Sequence, residues 1–171
     1  MTPVLRPATL ADADTLADIG QRSFAETFGH LYRPEDLAIF LESHRRAQWE
    51  AELADPGFIV AIAEIDGEAA GYAKLAPPKL PIAVREPAIE LRQFYVLSGW
   101  QGSGLAARMM DWVIATARER GARDIHLSVF VDNHRARRFY ERYGFERVGT
   151  YAFMVGGHED EDDIMRLTLD G

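Results

Sequence analysis

A chain of 171 residues, 47% apolar and without cysteine, is long enough for one core without disulfides, and it rules out thiolate nucleophiles and cysteine-based metal sites. Its 19 Lys and Arg against 27 Asp and Glu leave a net charge of −8, so a nucleic acid backbone is not an expected partner. The longest wholly apolar run, Phe58 to Ala63, is far short of the ~20 residues a membrane span needs, and residues 1–8 carry no secretory-leader pattern; the expectation is a single cytoplasmic domain over 1–171, away from membranes.

Strand and helix signals alternate along the chain. Val4 to Arg6 reads as a short strand, and Thr9 with Asp12 resembles a capping arrangement opening a helix from about Leu10 to Phe28. Pro34 starts a second helix through Leu41, and a third runs from Arg45 to Leu53. Phe58 to Glu64, Asp66-Gly67 and Ala69 to Leu75 form a hairpin signal, in which Asp-Gly supplies the positive φ angles of a tight turn. Pro77, Pro78, Pro81 and Pro87 mark an irregular loop before a strand from Glu90 to Leu97.

Gly99, Gly102 and Gly104 lead into an amphipathic helix from Leu105 to Arg120, ended by Gly121. Asp124 to Val131 alternates as a strand, and Asn133 caps a helix that closes at Gly144. Phe145 to Phe153 and Ile164 to Leu169 are the last strands, joined through Gly156-Gly157-His158 and five consecutive acids. The pattern predicts a mixed sheet with helices on both faces, an α/β (α+β) arrangement.

Charge is unevenly spread. Between Trp100 and Arg147 nine Arg face six acids, a local +3, so the remainder carries −8 − 3 = −11. An anion-binding segment in an acidic protein suggests two sites of opposite preference. Gln101-Gly102-Ser103-Gly104-Leu105-Ala106 lies between a strand end and a helix start, where backbone N–H groups and the helix dipole converge on one spot suited to a pyrophosphate. The Lys of a Walker loop is missing and the three-glycine dinucleotide fingerprint is incomplete, which disfavours nicotinamide cofactors.

The companions of this loop are more specific. Phe94-Tyr95-Val96 precedes it, and Asn133-x-x-Ala136-x-x-Phe139-Tyr140 follows the next strand, ending in Tyr143-Gly144-Phe145. Together these residues resemble the GCN5-related N-acetyltransferase (GNAT) superfamily. The resemblance implies a mostly antiparallel sheet with one splayed parallel pair. It implies acetyl-CoA as acyl donor, with Phe94, Tyr95 and Val96 beside the pantetheine and thioester. Gln101, Gly102, Ser103, Gly104, Leu105, Ala106 and Ala107 would surround the pyrophosphate, with Asn133 and Ala136 along the arm. Arg135, Arg137 and Arg138 are candidates for the outer phosphates.

The same resemblance makes Tyr140 the proton donor to the departing thiolate, with the Val96 N–H stabilising the oxyanion. An alkylammonium of pKa about 10 must first lose a proton. Some relatives carry a Glu five residues before the motif Asn, where this chain has Ser128. By alternation from Phe94 and Val96, Glu90 is the first candidate base, ahead of Glu26, His126 and His158. With no cysteine and no nucleophile–base pair in view, direct attack in a ternary complex is expected. The scattered histidines and the acid run lack metal-ligand spacing, so no metal is expected.

The acceptor side is sought in Thr27 to Tyr32 and in the acids Glu159 to Asp163. Those segments and Glu90 to Val96 look similar to bacterial spermidine/spermine acetyltransferases of the PaiA type, which implies a small-molecule amine and includes polyamines. Glu26, Phe28, His30, Tyr32, His158 and Glu159 are the acceptor candidates. A protein or peptide acceptor, a silent acyl-CoA-binding module and a homodimer all stay compatible with the sequence.

Overall fold

The computed structural model describes residues 2–42 and 45–169, without the side chains of Thr27, Phe28, Phe40 and Phe153. In chain order it contains β1 (Val4–Pro7), α1 (Ala13–Phe28), α2 (Pro34–Glu42), α3 (Arg46–Leu53), β2 (Ile59–Ile65), β3 (Glu68–Ala76) and β4 (Ala88–Val96). There follow α4 (Leu105–Glu119), β5 (Asp124–Phe130), α5 (His134–Arg142), β6 (Glu146–Val155) and β7 (His158–Thr168). The expected first helix opens instead with a 3₁₀ turn at Leu10–Asp12, where the Thr9 N–H donates to the Asp12 carboxylate at 2.8 Å.

Among the described residues seven strands form one sheet in the order β1-β2-β3-β4-β5-β7-β6, antiparallel except for β4 beside β5. Alternation gives the sheet two apolar faces, and each takes its own helices. On one face Leu105, Met109, Met110 and Val113 of α4 pack on Leu75, Leu91, Ile125 and Leu127, with Phe139 and Tyr140 of α5 at the margin. On the other, Leu16 and Ile19 of α1 and Trp49 of α3 cover Val60, Ile62 and Tyr72. Lys74 crosses to this second face, where its ammonium meets Glu52 at 2.6 Å and lies 4.7 Å from the Trp49 ring centre. Among the described residues no helix is long and apolar enough to cross a membrane.

The last hairpin differs from the sequence reading. β7 begins at His158 rather than Ile164, so the five acids are strand residues and not a solvated connection. Only Gly156 and Gly157 separate β6 from β7, and Met154 to Tyr151 pair in register with Glu159 to Asp162. Acids are poor strand formers by propensity, but here two neighbours hold the backbone, β6 on one side and β5 as far as Phe130↔Asp162 on the other. Asp163 is buried yet paired, with Arg147 at 2.9 Å and Arg137 at 3.3 Å, while Glu159 and Glu161 alternate out to solvent. Asp162 is also buried, but on the opposite face.

Candidate active site

The sheet opens at the parallel pair β4–β5. The strands pair at Ala88↔Asp124, Ile89↔Ile125 and Glu90↔His126, and from Leu91 and Leu127 onward they diverge. A cleft of about 850 Å³ passes through this wedge, reaching both faces of the sheet. β4 remains paired to β3 beyond the point where it leaves β5. The Leu97 N–H donates to the Ala70 carbonyl at 2.9 Å, so the neighbouring residue Val96, opposite Gly71, turns its N–H and C=O away from β3 and into the gap. Its carbonyl accepts from Gln101 Nε2 at 3.3 Å.

On the α4–α5 face the cleft ends at the glycine loop. Gly104 is the N-cap of α4 at φ 88°, a left-handed conformation that side-chain-bearing residues avoid; it aims the first turn of a fifteen-residue helix at the cleft. Gly102, Gly104, Ala106 and Ala107 line the cavity. First-turn N–H groups such as those of Ala106 and Ala107 have no intrahelical acceptor and sit at the positive end of the helix dipole. Ser103 and Leu105, by contrast, hold the loop without lining the cleft. The Ser103 hydroxyl donates to the Trp100 carbonyl and accepts from the Leu105 N–H, and the Leu105 side chain is core.

Three guanidinium groups, Arg135, Arg138 and Arg142, line this end, and Arg135 donates to Gln101 Oε1 at 3.1 Å. Arg137 is not among them, because it turns the other way to pair with Asp163. Asn133 lines the cleft while its Oδ1 caps α5 by accepting the Ala136 N–H at 3.3 Å, which fixes where Ala136 and Tyr140 project.

Midway through the wedge is an aromatic collar. Phe94 lies 5.9 Å from Phe139 and 6.4 Å from Tyr140, and Tyr140 packs edge-on to Phe145 at 5.7 Å. Burial raises the Tyr140 phenol above its ordinary pKa, so it holds its proton at neutral pH. Tyr95 faces the opposite side, edge-on to Tyr72 at 5.5 Å, and burial and the nearby Tyr140 raise its phenol too.

The far mouth lies between the α1–α2 connection and β7. Tyr32 donates its hydroxyl to Asp160, stacks on Phe24 at 5.9 Å, and meets the His158 ring edge-on at 5.1 Å. His158 Nε2 is 3.1 Å from Asp160 Oδ1. A second tie links the same segments. Asp36 of α2 accepts the Gly157 N–H at 2.8 Å, and a Cβ on Gly156 would stand 2.6 Å from the Asp36 Cα, so only glycine permits this approach. Asp160, Asp162, Tyr32 and Glu26 line the mouth, the last accepting from the Ser98 hydroxyl.

His30 and Glu159 are exposed and lie off the cleft, and His158 stands behind Asp160 instead of on the wall. The Phe28 side chain lies outside the described residues.

Glu90 does not share the face of Phe94 and Val96 on which simple alternation placed it. β4 carries an extra residue against β3, since Lys74 pairs with Gln93 but Leu75 with Leu91. This bulge shifts the alternation by one, so Ile89 and Leu91, not Glu90, share the face of Phe94 and Val96. Glu90 Oε1 accepts the Lys79 and Leu80 N–H groups at 2.7 and 3.0 Å, Arg92 sits 3.3 Å from Oε2, and the carboxylate is outside the cleft. His126, opposite Glu90, is 1% exposed and off the cleft as well, and burial lowers its pKa so that it stays neutral.

Of the five acids that the sequence assigns to the acceptor side, Asp162 stands out. It lines the cleft and is 5% exposed, and its Oδ1 has no hydrogen-bond partner. Burial pushes its pKa up to about 7, offset in part by the Ser128 hydroxyl and reinforced by Asp160 and Asp163. Extending the period-two alternation backward from Ile164 through the acids would have placed it on this face.

The sequence pattern of the acetyltransferase (GNAT) family matches residues 21–145. An uncharacterised N-acetyltransferase of Mycobacterium tuberculosis is 36% identical over 157 residues, covering 91% of this chain and 97% of that protein. The L-amino acid N-acetyltransferase AaaT of Escherichia coli is 34% identical over 124 residues, 70% of this chain and 75% of its own length. Among solved structures, the PaiA N-acetyltransferase of Thermoplasma acidophilum, in complex with coenzyme A, superposes with a TM-score of 0.81 over 98% of this chain and 99% of that one, at 18% identity. YncA of Salmonella typhimurium, solved with acetyl-CoA, gives a TM-score of 0.73 over 100% and 96%, at 23% identity. The glycine loop at the head of α4, the splayed β4–β5 pair and the collar around Tyr140 thus sit in a chain that belongs to the acetyltransferase (GNAT) family, and the protein is an N-acetyltransferase.

Proposed function

We propose that this enzyme transfers the acetyl group of acetyl-CoA to a primary amine of a small molecule, by direct attack in a ternary complex. The observation that carries the reading is a single cleft crossing the sheet, with the α4 N-terminus and arginines at one mouth and carboxylates at the other. The donor enters from the cationic face and the amine from the acidic one, and they meet at the wedge. Gly102 to Ala107 hold the pyrophosphate through main-chain N–H groups, while Arg135 and Arg138 neutralise outer phosphates. The gap-facing edge of β4 pairs with the pantetheine amides, and the Val96 N–H polarises the thioester carbonyl. Tyr140 keeps its proton until the sulfur departs and then supplies it.

The acceptor is small because the far mouth is bridged. Tyr32 to Asp160 and Asp36 to Gly157 tie the α1–α2 connection to the β6–β7 hairpin across the strip where an extended peptide would lie. The carboxylates Asp160, Asp162 and Glu26 suit a cationic amine, and polyamines fit that chemistry. Calorimetry with coenzyme A, followed by thiol release with spermidine, free amino acids and short peptides, tests the reading. Binding of coenzyme A and turnover of a small amine are expected. Turnover of peptides with small amines ignored overturns the acceptor class, and no binding of coenzyme A overturns the whole.

A further inference from the structure

We infer that Asp162 is the catalytic base, the group that takes the proton from the acceptor ammonium; this rests on the acetyl transfer proposed above. Three independent features converge on it. It lies on the acceptor side of the wedge, in the wall of the cleft. It is buried with one carboxylate oxygen lacking any hydrogen-bond partner, a costly state unless a ligand donor fills it. The other acids nearby are already engaged: Asp160 by Tyr32 and His158, Asp163 by Arg137 and Arg147, Glu90 by two backbone N–H groups and Arg92. Among the described carboxylates of the acceptor mouth, Glu26 also has its donor in Ser98. Glu26 is exposed to solvent, whereas Asp162, whose other contact is the Ser128 hydroxyl, keeps a buried oxygen without a donor.

The groups facing Asp162 explain its proton affinity. Across β5 stand Ser128 and Phe130, across β6 stands Tyr151, on its own strand are Asp160 and, through the sheet, Asp163, and the α1–α2 connection contributes Tyr32 beside Asp160. Across the gap β4 places Arg92 in the wall of the same cleft, where it is held by Glu90 at 3.3 Å and by the Pro77 carbonyl at 2.8 Å, and burial is the main cause of the raised Asp162 pKa of about 7. Against an amine of pKa about 10, such a base faces a deficit of about three powers of ten, where an ordinary carboxylate near 4 faces about six.

The chemistry balances. The ammonium gives one proton to the Asp162 carboxylate, and the freed lone pair forms the C–N bond to the thioester carbon. The C–S bond then breaks, the sulfur takes the Tyr140 proton, and the surplus proton on nitrogen restores the phenol directly or through water. Asp162 later releases its proton to solvent, so amine and thioester become amide and thiol.

The test compares pH profiles of kcat/KM for wild type, Asp162→Asn and Asp162→Glu, with the amine turned over fastest in the panel above. Wild type should lose activity as pH falls through about 7, because the base becomes protonated. In Asp162→Asn the rate at pH 7 should drop about 10²- to 10⁴-fold and that acid limb should vanish, with affinity for coenzyme A kept. Should Asp162→Asn fail to bind coenzyme A, Asp162→Glu decides: a limb displaced from the wild-type position supports the assignment, and one left in place overturns it. An Asp162→Asn enzyme that keeps the limb or loses less than threefold in rate also overturns it. Carbon-13 aspartate spectra give a readout without turnover, with one carboxyl titrating near 7 in wild type and missing in Asp162→Asn; its absence from wild type refutes the assignment. Wild type that neither binds coenzyme A nor acetylates any amine instead overturns the reading on which this one rests.

Discussion

The two mouths of the cleft are built by different means. At the mouth proposed for the donor, the cleft ends at main-chain N–H groups of a loop and a helix turn, brought together by residues adjacent in sequence, Gln101 to Ala107. At the acceptor mouth they are side chains from segments far apart, with Tyr32 reaching Asp160 and Asp36 reaching Gly157 across more than a hundred residues of chain. A main-chain site tolerates side-chain change as long as the backbone can take its turn. A side-chain site can change its ligand by changing a few residues. On the proposed reading this suits the donor mouth to one constant cosubstrate and the acceptor mouth to a variable amine.

Substitutions can break this contrast at its centre or at either mouth. The largest effect is expected at the collar between them. Tyr140→Phe should lower kcat about 10²- to 10³-fold, because the departing sulfur loses its proton donor, while the dissociation constant for coenzyme A stays within about twofold. Steady-state kinetics with calorimetry checks both values. Unchanged turnover would remove Tyr140 from the chemistry, and lost binding would make it a packing residue.

Next comes the acceptor mouth. In Gly156→Ala the new Cβ meets the Asp36 main chain at 2.6 and 2.8 Å, so α2 and the hairpin must part. The KM for the amine should rise tenfold or more, with coenzyme A affinity unchanged. A rise in the coenzyme A dissociation constant instead would show that the two mouths are not separable. The donor mouth should respond more mildly. Gly104→Ala has open space for its Cβ but pays about 1–2 kcal/mol for the left-handed conformation, and the loop relaxes at the expense of phosphate contacts. Coenzyme A affinity should fall about tenfold while the amine KM holds.

The same contrast decides what could be read from the sequence. The glycine loop, Asn133 and Tyr140 all line the cleft, and their placement was legible because it depends on spacing within one strand–loop–helix unit, which survives in a linear text. The acceptor mouth was less so. Tyr32 and Glu26 line the cleft, but His30, His158 and Glu159 do not reach it, since neighbours in a loop or on a strand point in different directions. The acid run was misread as a hairpin tip because five carboxylates oppose strand propensity, whereas pairing with β5 and β6 overrides it. Arg137 was grouped with its neighbours although the helix turns it toward Asp163. Glu90 failed for a subtler reason: a bulge adds one residue to β4, and nothing in the residues at 91–93 announces a change of phase.

Glu90 therefore offers the finest test of the contrast, since it lies beside the wedge yet belongs to neither mouth. Its carboxylate anchors the proline-rich loop before β4 by accepting the Lys79 and Leu80 N–H groups. Glu90→Ala strands those two donors and leaves Arg92 without its partner, a loss of about 1–3 kcal/mol. For a chain of this length that lowers the melting temperature by about 2–4 °C per kcal/mol. Turnover per folded molecule should stay within about threefold, and the acid limb of the pH profile should not move. A hundredfold loss of kcat at an unchanged melting temperature would return the base to β4 and erase the distinction between anchor and catalyst. A lowered melting temperature with the limb in place keeps Glu90 a strut for the strand whose far end, at Val96, turns its N–H into the gap.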